Sequence, residues 1–305
     1  MSRRSVLTAA AVAAVTALLA AGCATSSGGA PAGGSPGAAS GTTTPGGATS
    51  AGTSSSGQCS PANLHTHTAG ELTVATDSPA YAPWFVNDDP TNGKGFESAV
   101  AYAVAKQLGY PASKVHWVKD SFDSVIAPTP KNFDFDINEV SITPKRAQAV
   151  DFSSGYYDVA QAVIALKGGK YAHAKSVSAL KGAVLGAQAG TTSLDAIQND
   201  IPGASSREFP TNILAIQALR NGQIDGLVTD LPTALYITAA QVKDATIVGQ
   251  LPVHGKPEQF GLVLDKGSSL TPCVTKAVNA LRSDGTLAKL QQRWLTNTAG
   301  APVLR

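Results

Sequence analysis

A chain of 305 residues has room for one large domain or two of moderate size. Its 43% hydrophobic and 14% charged residues supply enough apolar material for a buried core under a sparsely charged surface. A formal net charge of +2, with no stripe of Lys or Arg, argues against a nucleic-acid partner. Many of the 30 glycines fall in the first fifth of the chain, so the average composition mixes two different materials.

The first material begins with a basic pair, Arg3 and Arg4, followed by an apolar stretch from Val6 to Ala20. That stretch is too short for a comfortable membrane span. It runs into Leu19-Ala20-Ala21-Gly22-Cys23, which resembles the lipobox of bacterial lipoproteins. The resemblance implies that residues 1–23 are a lipoprotein signal peptide and that Cys23 carries lipid, palmitate included. The mature protein would then sit outside the cytoplasm, anchored to the outer face of the cell membrane. An ordinary signal peptide with a chance cysteine is the competing reading, and Ser2-Arg3-Arg4 leaves Sec and twin-arginine export both open. Residues 24–57 contain only Ala, Gly, Ser, Thr and Pro and cannot bury apolar surface. They read as a disordered tether with a typical span of roughly 30 Å. Once Cys23 is assigned to lipid, Cys59 and Cys273 remain as an even pair in an oxidising setting. One disulfide would join the start of the folded region to a helix near its end.

From Glu71 onward short apolar strands alternate with helical patterns. Leu72 to Ala75 reads as a strand; Phe96, Val100, Val104 and Leu108 then recur at helical spacing and stop at Gly109, a C-terminal cap. Val115 to Val118 is a second strand, Phe122 to Ile126 a short helix broken by Pro128, and Phe135 and Ile137 alternate as a third strand. After about residue 160 the alternation restarts. Strands are predicted at Ala183–Gly186, Ile224–Val228 and Thr246–Val248, with helices at Ser193–Asn199 and Ile213–Asn221. The end is helical, from Thr271 (a cap before Pro272) to Leu281 and from Leu287 to Leu295. This order predicts an α/β architecture with mainly parallel sheets.

Two segments present unpaired backbone N–H groups where a helix begins. In Thr143-Pro144-Lys145-Arg146, Thr143 suits the cap and Pro144 the first helical position. In Gly190-Thr191-Thr192-Ser193 a flexible loop opens another helix. Helix starts of this kind attract anions, and Arg146 adds a guanidinium fork that fits a carboxylate.

The order of these landmarks is informative. Leu72-Thr-Val-Ala-Thr-Asp77, Pro83-Trp-Phe, Gly93-Lys-Gly-Phe96, Ser141-Ile-Thr-Pro-Lys-Arg146, Val150-Asp-Phe-Ser-Ser-Gly-Tyr-Tyr157, Gly190-Thr-Thr-Ser193, Asp225-Gly-Leu-Val-Thr-Asp230 and Leu281-Arg-Ser-Asp-Gly-Thr286 succeed one another. From Leu72 to Leu295 the chain resembles the family 3 solute-binding proteins, the polar amino-acid-binding components of ABC importers. The resemblance implies a two-lobed, type II periplasmic-binding-protein-like fold with two hinge strands and a ligand cleft between the lobes. The crossings would fall near Tyr156–Ala160 and Glu258–Phe260, with residues 58–157 plus 260–305 as one lobe and 158–259 as the other. Cys59 and Cys273 would then share a lobe. Arg146 would clamp the α-carboxylate of a free amino acid, aided by Ser141 (hydroxyl and N–H) and the Thr192 N–H. Asp230, helped by the carbonyl of Glu139, would hold the α-ammonium. Tyr81 and Phe122 would sandwich the ligand side chain, and Asp77 would meet its distal end. A zwitterion leaving water needs a charged partner at each end. The partners implied are a free amino acid, the membrane permease and, through the lipid, the membrane, with the protein acting as a monomer without cofactor.

Asn138, Glu139 and Gln188 depart from the residues common in that family, which bears on ligand identity. Asp77 and Glu139 as acids beside Tyr81 favour a basic amino acid first, a glutamine-type amide second and an acidic one last. The same fold hosts cyclohexadienyl dehydratases, and Asp134, Asp136 and Glu139 offer carboxylates for general acid–base work. Carboxylates at strand ends are usually solvated, however, and no Ser-His-Asp order or phosphate-binding loop accompanies them. His65-Thr-His67 has strand spacing for a metal but lacks a third ligand. A sensory receptor lobe would need a following membrane or signalling segment. The expectation is therefore a binding protein, not an enzyme.

Overall fold

β1 (Leu72–Thr76) is buried along its whole length. A strand covered on both faces has no solvent side, which is why its sequence runs apolar without alternation. In this computed structural model, which describes residues 58–295 and 301–305, the chain continues through α1 (Phe96–Gln107), β2 (Val115–Lys119), α2 (Phe122–Ile126), β3 (Phe135–Asp136) and β4 (Asp151–Phe152). β5 (Tyr157–Val159) leads to β6 (Gln161–Leu166), β7 (Val184–Gln188), α3 (Thr192–Asp200), β8 (Ser205–Phe209), α4 (Asn212–Arg220), β9 (Gly226–Asp230), α5 (Leu231–Tyr236) and β10 (Ala245–Gln250). The return is made by β11 (Glu258–Phe260), β12 (Val263–Leu264), α6 (Thr271–Ser283) and α7 (Thr286–Leu295). The signal-peptide and tether assignments, with Cys23, lie outside the described residues.

Two five-stranded sheets form, in the orders β2-β1-β3-β12-β4 and β10-β6-β9-β7-β8, and β5 and β11 make an antiparallel ribbon of their own. The sheets are mixed, not mainly parallel. β1 runs parallel to β2 and β3, and β7 to β8 and β9. β12 opposes β3 and β4, while β6 opposes β9 and β10. The crossings explain this: β6 comes directly after β5 and β12 after β11, so each re-enters a sheet against its neighbours.

Each sheet is covered on both faces, as a layered α/β architecture requires. Phe96, Val100 and Val104 of α1 pack with Val274, Val278 and Leu281 of α6 on one side of the first sheet. Phe122, Val125, Val140 and Val150 fill the other. The helical spacing at α1 is the reason, and Gly109 beyond its end takes φ +87°, the left-handed conformation of a capping glycine. The second sheet is sandwiched by one cluster holding Leu180, Leu185 and Ile197 and another holding Ile164, Leu219 and Leu227.

Four features differ from the sequence expectations. Thr143 does accept a hydrogen bond from the Arg146 N–H (3.1 Å), but the chain then makes only a single 3-10 turn over Arg146–Gln148 and not a longer helix. Thr271 is the first residue of α6 rather than its cap, and its hydroxyl donates to Asp151 (3.1 Å). Asp134 and Asp136 are buried instead of solvated. Asp134 accepts the N–H groups of His67 and Thr73 at 2.7 Å each, pinning the leader to β1. Lastly, residues 301–305, expected with the first lobe, pack on the second sheet. Val303 bridges Gln250, and Leu304 is 1% exposed beside Gly249, where any Cβ would meet the leucine at 2.7 Å. The strand seats leucine where it lacks a side chain of its own.

The leader is also held covalently, since Cys59 and Cys273 form a disulfide with their Cα atoms 5.4 Å apart.

Candidate functional site

Arg146 sits at the first residue of its 3-10 turn, buried to 8% exposure. Its guanidinium donates from Nη1 to the Ser141 carbonyl (2.8 Å) and from Nη2 to the Gly190 carbonyl (2.9 Å). It also lies 5.2 Å from the centre of the Phe122 ring, within cation–π range. Burial pushes its pKa down, and the carboxylates of Glu258, Asp230 and Asp195 oppose that shift. Five N–H donors on a fixed fork leave several for a ligand after two carbonyls are served.

The opposing wall comes from the second sheet. β6 and β9 are antiparallel and place Gln161 directly across from Asp230. The Gln161 amide donates to Asp230 Oδ1 at 2.8 Å. Asp230 ends β9 just before Leu231-Pro232 opens α5. Its carboxyl is pushed well above the usual range by burial and by nearby Glu258, and Gln161 and Arg146 act in the other direction. Beside it, Thr191 caps α3 by accepting from the Leu194 N–H, leaving Thr192 as the first helical residue. The hydroxyls of Ser141 and Thr192 both donate to Glu258 Oε1, the second at 2.6 Å.

The same cavity is lined by Asp77, Tyr81, Phe122 and Glu139. Asp77 comes just after β1 and accepts from the Ser78 N–H (2.6 Å); burial raises its pKa. The Tyr81 hydroxyl is pushed up to about 12, by burial first and then by Asp77, Asp88 and Glu139. Glu139 takes φ +53°, a left-handed conformation costly for a residue with a long side chain. Its N–H donates to Glu97 Oε1 (2.8 Å) and its carboxylate accepts from the Thr233 hydroxyl (2.8 Å), which accepts the Trp84 indole N–H (2.8 Å). Burial raises the Glu139 pKa well above normal, and Glu97 and Asp230 add to this. Glu97 also accepts from the Tyr156 hydroxyl and is raised by burial to about 7.

All eight residues singled out from the sequence, Asp77, Tyr81, Phe122, Glu139, Ser141, Arg146, Thr192 and Asp230, line one cavity. Two of them play parts that the sequence did not suggest. The Phe122 ring carries the Arg146 guanidinium, and the Glu139 carboxylate is engaged with Thr233. Sequence reasoning missed Gln161 and Glu258. Only the strand register reveals the first, and nothing local shows which way a charged residue on the β11 ribbon points. The cavity also admits Asn138, Gln188 and Asn212, with Gln188 accepting from the Asn212 N–H (3.0 Å). His67 contributes only its backbone N–H, to Asp134. Among the described residues no group of three or more His, Cys, Asp or Glu side chains is gathered for a metal.

Chemically, the arrangement sets the Arg146 guanidinium across from the Asp230 carboxyl at the end of β9, with Asp77 and Glu139 lining the same cavity, so groups of both charges face one space. The chain belongs to the bacterial extracellular solute-binding proteins, family 3, whose model matches residues 72–297. It is 31% identical over 213 residues to the glutamine-binding protein GlnH of an ABC transporter in Bacillus subtilis (strain 168), covering 68% of this chain and 75% of that one. It is 28% identical over 227 residues to the L-cystine-binding protein TcyJ of Escherichia coli (strain K12), covering 74% and 82%. Among solved structures, an ancestral arginine-binding protein bound to glutamine superposes with a TM-score of 0.63 at 33% identity, covering 75% of this chain and 99% of that chain. These relatives are binding proteins and not enzymes, and the fold they share is the type II two-lobed one.

Proposed function

We propose that this chain captures a free amino acid outside the cytoplasm and delivers it to the membrane permease of an ABC importer. The observation that carries the reading is the placement of Arg146 and Asp230 on opposite walls of one cavity, a counter-charge for each end of a zwitterion. Transfer of such a ligand from water is unfavourable unless both charges are met. The remaining acids, Asp77 and Glu139, with the Tyr81 ring favour a basic side chain first, an amide second and an acidic one last. An arginine-binding relative bound to glutamine accords with that order. β5 and β11 serve as the hinge between residues 58–157 with 260–295 and residues 158–259, and closure about it reports occupancy. Cys23 carries the lipid that holds the monomer at the outer face of the cell membrane, and residues 24–57 are its tether.

The test is a thermal melt of the purified domain against the proteinogenic amino acids, followed by calorimetric titration with arginine, lysine, glutamine and glutamate. A ligand at one hundred times its dissociation constant stabilises by about 2.7 kcal/mol. Tight glutamate binding with no response to the others would overturn the ligand order, and no response to any amino acid would overturn the reading. Separately, Cys23→Ala is expected to leave the protein out of the membrane fraction; partition like wild type would remove the anchor.

A further inference from the structure

We propose that Glu258, on the β11 hinge strand, is a positioning residue that turns the site hydroxyls into acceptors and so selects ligands bearing an α-ammonium. The hydroxyls of Ser141, beside the first sheet, and Thr192, at the start of α3, both donate to the same Glu258 oxygen. A hydroxyl has one proton. With that proton committed to Glu258, each oxygen offers only lone pairs to the cavity. The Ser141 hydroxyl therefore cannot donate to a ligand carboxylate as its position alone suggests, and that role falls to Arg146 and backbone N–H groups.

The other Glu258 oxygen fixes the charge pattern. Gln161 Nε2 donates to Glu258 Oε2 (3.2 Å) and to Asp230 Oδ1 (2.8 Å), so two carboxylates share one amide nitrogen. The orientation of that amide is fixed by Ser193, because its oxygen accepts the Ser193 hydroxyl at 2.7 Å. Glu258 thus places its negative charge next to Asp230, and the same charge also acts on the Arg146 guanidinium. A carboxylic acid without an ammonium meets two hydroxyl oxygens and the Asp230 carboxyl with nothing to donate to them, which is penalised more than a missing attraction.

This inference rests on the amino-acid-binding reading, and the experiment separates the two. L-Arginine and L-glutamine are titrated calorimetrically against 5-guanidinopentanoate and 4-carbamoylbutanoate, the same molecules without the α-ammonium. Wild type and Glu258→Gln are compared, with Thr192→Val as a second variant that removes one hydroxyl and keeps the backbone N–H. In both variants the preference for amino acid over its desamino analogue is expected to narrow, by about tenfold or more for Glu258→Gln. An unchanged ratio, or equal weakening of both ligands with a lower melting midpoint, overturns the positioning role while leaving the amino-acid reading intact. If wild type binds neither amino acid, both fall together.

Discussion

Arg146 donates to the carbonyl of Gly190 at 2.9 Å, so a residue that lines the cavity also joins the 3-10 turn beside the first sheet to the loop that opens α3. Its second bond, to the Ser141 carbonyl, makes it part of the wall it charges.

Replacing Arg146 by lysine keeps the charge and loses the fork. One ammonium cannot serve two carbonyls on different elements, cover the Phe122 ring and still present a bidentate face. Arg146→Lys is expected to weaken amino-acid binding by about a hundredfold, with Arg146→Ala weaker still. Titration calorimetry measures this, and wild-type affinity in the lysine variant would show that the fork is not used.

Trp84 reaches Thr233 through its indole N–H while its ring packs edge-on against Phe96, Tyr157 and Phe260. Trp84→Phe keeps the aromatic contact and strips the donor, while the Thr233–Glu139 hydrogen bond itself is retained. A loss of about 1–3 kcal/mol is expected by urea unfolding. Thr233→Val should cost more, because it takes one hydrogen-bond partner from both the indole N–H and the Glu139 carboxyl. The reverse ranking would show that the chain from Trp84 to Glu139 does not act as a unit.

Glu97 makes stability depend on pH. Its pKa near 7 in the folded chain lies above the ordinary 4.5, so the folded state keeps a proton that the unfolded state releases between those values. The stabilisation is complete below about pH 4.5 and is lost as pH rises through about 7, amounting to about 3 kcal/mol. Glu97→Gln, which resembles the protonated acid, is expected to flatten part of this slope, while Asp136, Glu139 and Asp230, each also raised by burial, continue to contribute. Melting midpoints taken on both sides of that window decide it, and an unaltered slope would exonerate Glu97.

The disulfide closes a sequence separation of 214 residues. A crosslink over so long a loop removes much unfolded-state freedom, by about 5 kcal/mol in the chain-entropy account. Cys59→Ala with Cys273→Ala should therefore lower the melting midpoint by several degrees, as should a reductant with wild type. Amino-acid affinity should hold, since neither cysteine lines the cavity.

The local signals in the sequence were strong where one segment carries its own physics. The period from Phe96 to Leu108 with Gly109 specifies α1 and its end, and apolar runs mark β1, β2 and β9. Ordered landmarks brought Arg146, Asp230 and their companions together as candidates, and all eight meet in one cavity. Strand direction was not legible, because the reversal at β6 and β12 comes from two chain crossings and leaves no periodicity in either strand. Nor was the seat of Leu304, which depends on a missing side chain at Gly249, far back in the sequence. The hydrogen-bonding sense of Ser141 and Thr192 lay furthest from the text. A hydroxyl both donates and accepts, and only the arrival of Glu258 on the returning strand β11 decides where the two protons go.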